Sequence, residues 1–148
     1  SGGEDDESVV WVEFDTSAMN STSDEYFGFL DSINWCNIDR FISAGNVHTN
    51  GKATVHSELD MENSLMMISF DNENAVGRFW EFENGAYQTG YYRFEEGVEV
   101  HLILFAMKGD KVFANIQPLT ISNDFEVDMT NMTEMTVSEF EAAIAALP

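Results

Sequence analysis

The sequence predicts a β-rich α+β domain: an antiparallel meander of six to seven strands, curved or barrel-like, with an N-terminal helical segment and a short C-terminal helix. Three observations predict it. Apolar residues alternate with period two from Val47 to Leu119, short turn signals divide that stretch at regular intervals, and helical spacing appears only on either side of it. Strands that follow one another through tight turns make an antiparallel sheet, not parallel βαβ units.

Taken in order, Ser8–Asp15 (SVVWVEFD) reads as a strand with both faces partly apolar. Thr22 with Glu25 forms a capping box, and Tyr26, Phe29, Leu30 and Ile33 then recur at helical spacing. Ile38, Phe41 and Ile42 continue the pattern up to Gly45, so a helix hairpin or kinked helix spans roughly residues 23–44. The strands are expected at 46–49, 52–59, 64–70, 78–83, 86–94, 98–107 and 111–119. Asn50-Gly51 and Asn84-Gly85 carry type I′ hairpin chemistry, because both central residues of that turn need positive φ. Glu95-Glu96-Gly97 suits a three-residue turn, and Lys108-Gly109-Asp110-Lys111 closes the last hairpin. A second capping box, Thr136 with Glu139, starts a final helix whose face is Phe140, Ile144 and Leu147.

Charge bounds the function more firmly than any motif. The chain of 148 residues has 27 acidic and 6 basic side chains, a formal charge of −21. That field repels nucleic acid and anionic membrane and favours basic partners or divalent cations. The acid is dispersed, with no run longer than two outside Glu4–Glu7, and 44% of residues are hydrophobic. The chain therefore reads as a folded globule with an acidic surface, not a disordered acidic tail. Residues 9–148 read as one domain behind a flexible acidic tether at 1–8.

The one cysteine, Cys36, stands in an apolar stretch with no neighbouring histidine or cation, which fits a buried thiol and excludes an internal disulfide. No segment approaches the ~18 apolar residues of a spanning helix. The opening Ser1-Gly2-Gly3-Glu4-Asp5-Asp6-Glu7-Ser8 resembles the start of a mature bacterial surface lipoprotein, just after its lipidated cysteine. That resemblance implies an extracytoplasmic location, periplasmic or cell-surface, with a lipid anchor upstream of Ser1.

Hairpin register yields a candidate site. Around Asn84-Gly85, Phe82 faces Tyr87, Trp80 faces Thr89 and Arg78 faces Tyr91. Around the next turn, Arg93 faces Glu99 and Tyr91 faces His101. One face then holds Arg78, Trp80, Phe82, Tyr87, Tyr91, Arg93, Glu99 and His101, continued by Ile103, Phe105, Ala114 and Ile116. The opposite face, with Tyr92, Phe94, Val98, Val100, Leu102 and Leu104, is ordinary core, so strand 98–107 belongs in the middle of a sheet. Aromatics mixed with arginine, carboxylate and histidine suit the wall of a ligand cavity. The competing account makes Arg93–Glu99 an edge ion pair and the aromatics amphipathic filler. The arrangement of a helical part, a long meander and a final helix resembles the cone-shaped NTF2-like fold and the lipocalin-like lipoproteins; both would put the mixed face inside a cavity.

Metal and cofactor signals are weak, and none is expected. Asp71-Asn72-Glu73-Asn74 has oxygen donors, but Ala75 and Val76 break an EF-hand loop. Met129, Met132 and Met135 have a spacing that suits soft Cu(I), and suits packing better. No hydrolase, nucleotide or dinucleotide motif is present. The reading is a non-enzymatic exported binding module for a small molecule or glycan, stacked on Trp80, Tyr87 and Tyr91 and held by Arg78 and Arg93. Three alternatives stand beside it. An acidic mimic would inhibit a basic nucleic-acid-binding protein, an assembly subunit would lend Val9–Val12 to a neighbour's sheet edge, and an NTF2-like enzyme would use His101 and Glu99.

Overall fold

The computed structural model describes residues 48–73, 76–79, 81–89 and 94–148. The acidic tether, the strand expected at 8–15 and the helical segment 23–44 lie outside the described residues. In chain order the elements are β1 (His48–Thr49), β2 (Gly51–Thr54), β3 (Leu65–Phe70), β4 (Val76–Arg78), β5 (Glu81–Glu83) and β6 (Ala86–Gln88). They continue with β7 (Phe94–Glu95), β8 (Glu99–Lys108), β9 (Lys111–Thr120), β10 (Phe125–Asp128), β11 (Thr133–Thr136) and the helix α1 (Val137–Ala145).

The strands form two main sheets and a short β1–β7 pair, and no barrel closes among the described residues. The five-stranded sheet runs β11-β9-β8-β3-β4 and is antiparallel throughout. The four-stranded sheet runs β10-β2-β6-β5, with β10 parallel to β2 and the other pairs antiparallel. The expectation of an antiparallel, β-rich chain with a short C-terminal helix holds. The simple meander does not, because β3 inserts beside β8 and β2 takes its neighbours from β6 and β10.

Burial explains that order. Strand β8 is apolar on both sides and sits at the centre of its sheet. Val100, Leu102, Leu104 and Ala106 face the inner surface of the other sheet, meeting Ala53, Tyr87 and Phe125 there. Ile103 and Phe105 face the other way, toward Phe140 and Ile144 of α1. The Phe105 and Phe140 rings lie 4.8 Å apart, and burying a side chain of that size contributes about 2–3 kcal/mol. Helix α1 begins where the sequence places it: Glu139 N–H donates to Thr136 Oγ1 (3.1 Å) and Thr136 N–H donates to Glu139 Oε1 (2.8 Å). Pro118 stands in β9 beyond the stretch that β11 covers, so among the described residues only β8 neighbours it there, a position that tolerates a missing donor.

Four expectations are corrected. The strand expected at 78–83 is two strands in different sheets, because Phe79 leaves β4 for the core, its N–H donating to the Met66 carbonyl. The strand expected at 86–94 ends as β6 at Gln88, and Phe94 reappears in β7. Strands β10 and β11 are additional, the first a Phe-Glu-Val-Asp alternation and the second inside the Met-Thr repeat. Finally, Asn84-Gly85 forms its hairpin turn with φ of 55° and 76°, but Asn50-Gly51 does not join a hairpin. Strand β1 pairs with β7, and β2 pairs with β6 and β10.

Gly51 has a different purpose. It stands directly opposite Phe125 in the β2–β10 ladder, and a Cβ there would overlap three carbon atoms of the Phe125 ring. The ring fills the space a side chain would take, which lets the two strands pair closely. Gly51→Ala is therefore expected to destabilise the fold by about 1–3 kcal/mol, the usual range for overpacking. Urea unfolding would read this as a lower midpoint. Gly51→Ala with Phe125→Leu should recover part of the loss; equal midpoints for wild type and Gly51→Ala would refute the packing argument.

Candidate functional site

The structure divides the residues that the sequence placed on one face. Trp80, Tyr91 and Arg93 lie outside the described residues. Phe82 and Tyr87 pair as expected, with ring centroids 5.0 Å apart in an edge-on arrangement. They point inward from the four-stranded sheet into the inter-sheet core. Arg78, Glu99 and His101 belong to the five-stranded sheet. Arg78 pairs with Met67, Glu99 with Thr120, and His101 with Ser69 and Pro118. On β8, His101 has β3 on one side and β9 on the other, and the expected partners Tyr91 and Arg93 lie outside the described residues.

Tyr87 is a structural node. Its ring is buried, and its hydroxyl lies 2.7 Å from Ser64 Oγ and donates toward the carbonyls of Ser64 (3.1 Å) and Asp60 (3.2 Å). Burial pushes the phenol up to about 12, with the Ser64 hydrogen bond and the Arg78 charge acting against that rise and Asp60 adding to it. Burial also lowers Arg78 from its ordinary value, opposed by the nearby Tyr87 oxygen. These groups fasten the 60–64 loop to the sheet.

His101 has a partner that the sequence did not indicate. Its Nδ1 lies 2.7 Å from Asp71 Oδ1, both side chains being about 16% exposed. Asp71 N–H also donates to the Glu99 carbonyl at 3.0 Å, so the turn after β3 is tied to β8 twice. The carboxylate considered above as a calcium donor is thus engaged by an imidazole, and Asn72 (φ 63°) makes the segment a turn. Among the described residues no group of three or more His, Cys, Asp or Glu is arranged to hold a metal. The methionine repeat is split: Met129 and Met132 are buried in the inter-sheet core, whereas Met135 packs on the α1 side of the five-stranded sheet.

The surface with the shape of a binding site is the outer face of the four-stranded sheet. There Glu126, Lys52, Gln88 and Glu81 lie abreast across all four strands. The next outward row is Asp128, Thr54, Ala86 and Glu83. Lys52 Nζ lies 3.6 Å from Glu126 Oε1, both side chains well exposed. A concavity of about 450 Å³ opens here, lined by Lys52, Glu81, Glu83, Gln88 and Glu126 together with Asn50, Gly51, Thr89, Asp124 and Phe125. Thr89 extends the β2–β6 pairing to Gly51, accepting a hydrogen bond from Gly51 N–H (3.2 Å) on its Oγ1 and donating its own N–H to the Gly51 carbonyl (3.0 Å).

Sequence reasoning missed this face because it needs β10, and because β2 had been assigned a hairpin partner in 46–49. The signal was present as polar residues at every second position of Glu81-Phe82-Glu83 and Phe125-Glu126-Val127-Asp128. Comparison with protein-family models, with curated proteins and with solved structures gives no match.

The Tyr87 environment sets an alkaline limit. Its proton is held more tightly in the folded than in the unfolded chain, so the contribution is intact below about pH 10 and lost as pH rises through about 12. Denaturant unfolding at pH 7 and pH 11.5 should show a loss of about 2 kcal/mol from this group. Tyr87→Phe should be less stable at neutral pH and flatter across the alkaline range; an unchanged alkaline slope would show that other groups control it.

Proposed function

We propose that the protein is a non-enzymatic binding module, exported and tethered through its N-terminal acidic segment, that holds a small polar ligand on the outer face of the four-stranded sheet. The concavity of about 450 Å³ carries this reading, since it lies within the size range of small-molecule sites and gathers carboxylate, amide and ammonium groups on one rigid surface. Strands hold such groups more firmly than loops do. The tether and export rest on the lipoprotein-like opening and on the scarcity of cysteine. Aromatic stacking by Trp80 and Tyr91 remains part of the proposal; Tyr87 has its ring in the core and its hydroxyl engaged.

A second reading is favoured by one observation. Glu81, Glu83, Glu126 and Asp128 present carboxylates along both edges of an exposed sheet face, as an acidic mimic of nucleic acid would toward a basic protein. Such binding weakens steeply with salt.

Native mass spectrometry of the purified protein separates the two. The binding-module reading expects an added small mass that disappears on denaturation and is reduced by about tenfold or more in Lys52→Ala/Gln88→Ala. An adduct unaffected by that double variant would remove the outer face as the site. A bare protein that captures a defined basic protein at low salt and releases it at high salt would replace the first reading with the second.

A further inference from the structure

On the α1 side of the five-stranded sheet, burial does not follow the helix. Helix α1 lies against β9 and β11 and reaches β8 through the contact of Phe140 with Phe105. The next row on this face is Arg78, Met67, Ile103 and Ile116, one residue each from β4, β3, β8 and β9. Were α1 its cover, burial would be deepest at Ile116, on the strand that α1 lies against, and would fade toward β4. The order is reversed. Ile116 is only partly buried, beside an opening of about 250 Å³ that it shares with Ala114, Thr133 and Met135. Ile103 is 0% exposed and Met67 3%, and Val76 on β4 is 7% exposed.

Ladder neighbours shield a side chain from the sides but not from above, so a sheet face this dry needs a second layer packed on it. Among the described residues, every member of this apolar cluster belongs to the sheet itself or to α1 and its C-terminal end. Residues 74–75, 80 and 90–93 are too few to make a layer, whereas residues 1–47 are enough. The chain joins the described fold at His48, which pairs with Glu95 just before β8 begins at Glu99. The segment ahead of His48 therefore starts from the end of this same sheet. Within that segment, the Thr22–Glu25 capping box opens a helical pattern of Tyr26, Phe29, Leu30 and Ile33, which Cys36 continues one turn further on the same side. Asp24, Asp31 and Asp39 fall on the other side.

We infer that residues 23–36 of this chain dock as an amphipathic helical segment on the β3–β8 half of this face, with Phe29 and Ile33 over Met67 and Ile103, Cys36 closed in at the contact, and Asp24 and Asp31 toward solvent. A separate partner protein would leave the face open in the lone chain, where Ile103 is already closed. A second copy would have to overcome the repulsion between two chains of charge −21. The outer face of the four-stranded sheet lies across the inter-sheet core and stays uncovered, so the docking is independent of what the concavity binds.

The test places a nitroxide on Asp31→Cys in the full chain, with Cys36→Ser as background, and reads the broadening of ¹H–¹⁵N amide signals. The expected broadening is strongest at Met67, Ile103 and Val76 and weakest in β5 and β10. A mixed sample, in which only the ¹⁴N chains carry the nitroxide, should show none. Broadening in the mixed sample would overturn the docking in favour of a second copy. Broadening that is strongest in the four-stranded sheet, or even across the domain, would overturn the site. A second measurement needs no label. In the unaltered chain the Cys36 thiol should react with a disulfide reagent about tenfold or more slowly in buffer than in urea, and Phe29→Ala/Ile33→Ala should remove most of that protection. Equal rates in buffer and urea for the unaltered chain would also overturn the docking.

Discussion

Everything else in the described fold depends on strand β8 being apolar on both sides. A strand with two dry faces needs a cover on each and a neighbour on each edge, since an open edge would leave backbone donors and acceptors buried and unpaired. The chain meets these four demands with four different parts. Strands β3 and β9 take the edges, the four-stranded sheet covers one face, and α1 covers part of the other. The displacement of β3 away from its sequence neighbours, which turns a meander into two interleaved sheets, follows from this requirement.

The acidity of the chain fits the same geometry. Among the described residues the acidic side chains lie on outward rows and turns, so the repulsion they generate is spread over solvent-facing surface instead of being focused in the interior. The imidazole–carboxylate contact of His101 with Asp71 sits near the end of the β3–β8 ladder, where it fastens a turn. Inside, the hydroxyls of Tyr87 and Ser64 are satisfied locally, around the Asp60 carbonyl.

Local chemistry was legible in the sequence, and long-range pairing was not. The Asn84-Gly85 turn, the Phe82–Tyr87 pair, the Thr136–Glu139 cap and the central position of 98–107 all depend on neighbours a few residues apart or on hydrophobicity alone. Asn50-Gly51 misled because a glycine read as a turn former was required for the approach of Phe125 from a distant strand. Alternation along a single strand tells which residues share a face, but not which strand supplies the other half of a ladder. The candidate face was hidden for that reason: its four strands come from three separated stretches of chain.

The parallel pairing of β10 with β2 also fixes an order of events in time. Strand β2 lies near the start of the described chain and β10 near its end, with both long strands of the other sheet between them. The hairpin of β8 and β9 involves only adjacent residues and closes a short loop, so it can form early, whereas the β2 edge must wait for almost the whole domain. During synthesis that edge stays open until β10 has emerged, with only β11 and α1 of the described elements still to follow. The outer face with its carboxylate rows is therefore completed only once residues 125–128 are made, and a chain stalled before them would present the inner face of β2 without the Phe125 ring that covers it.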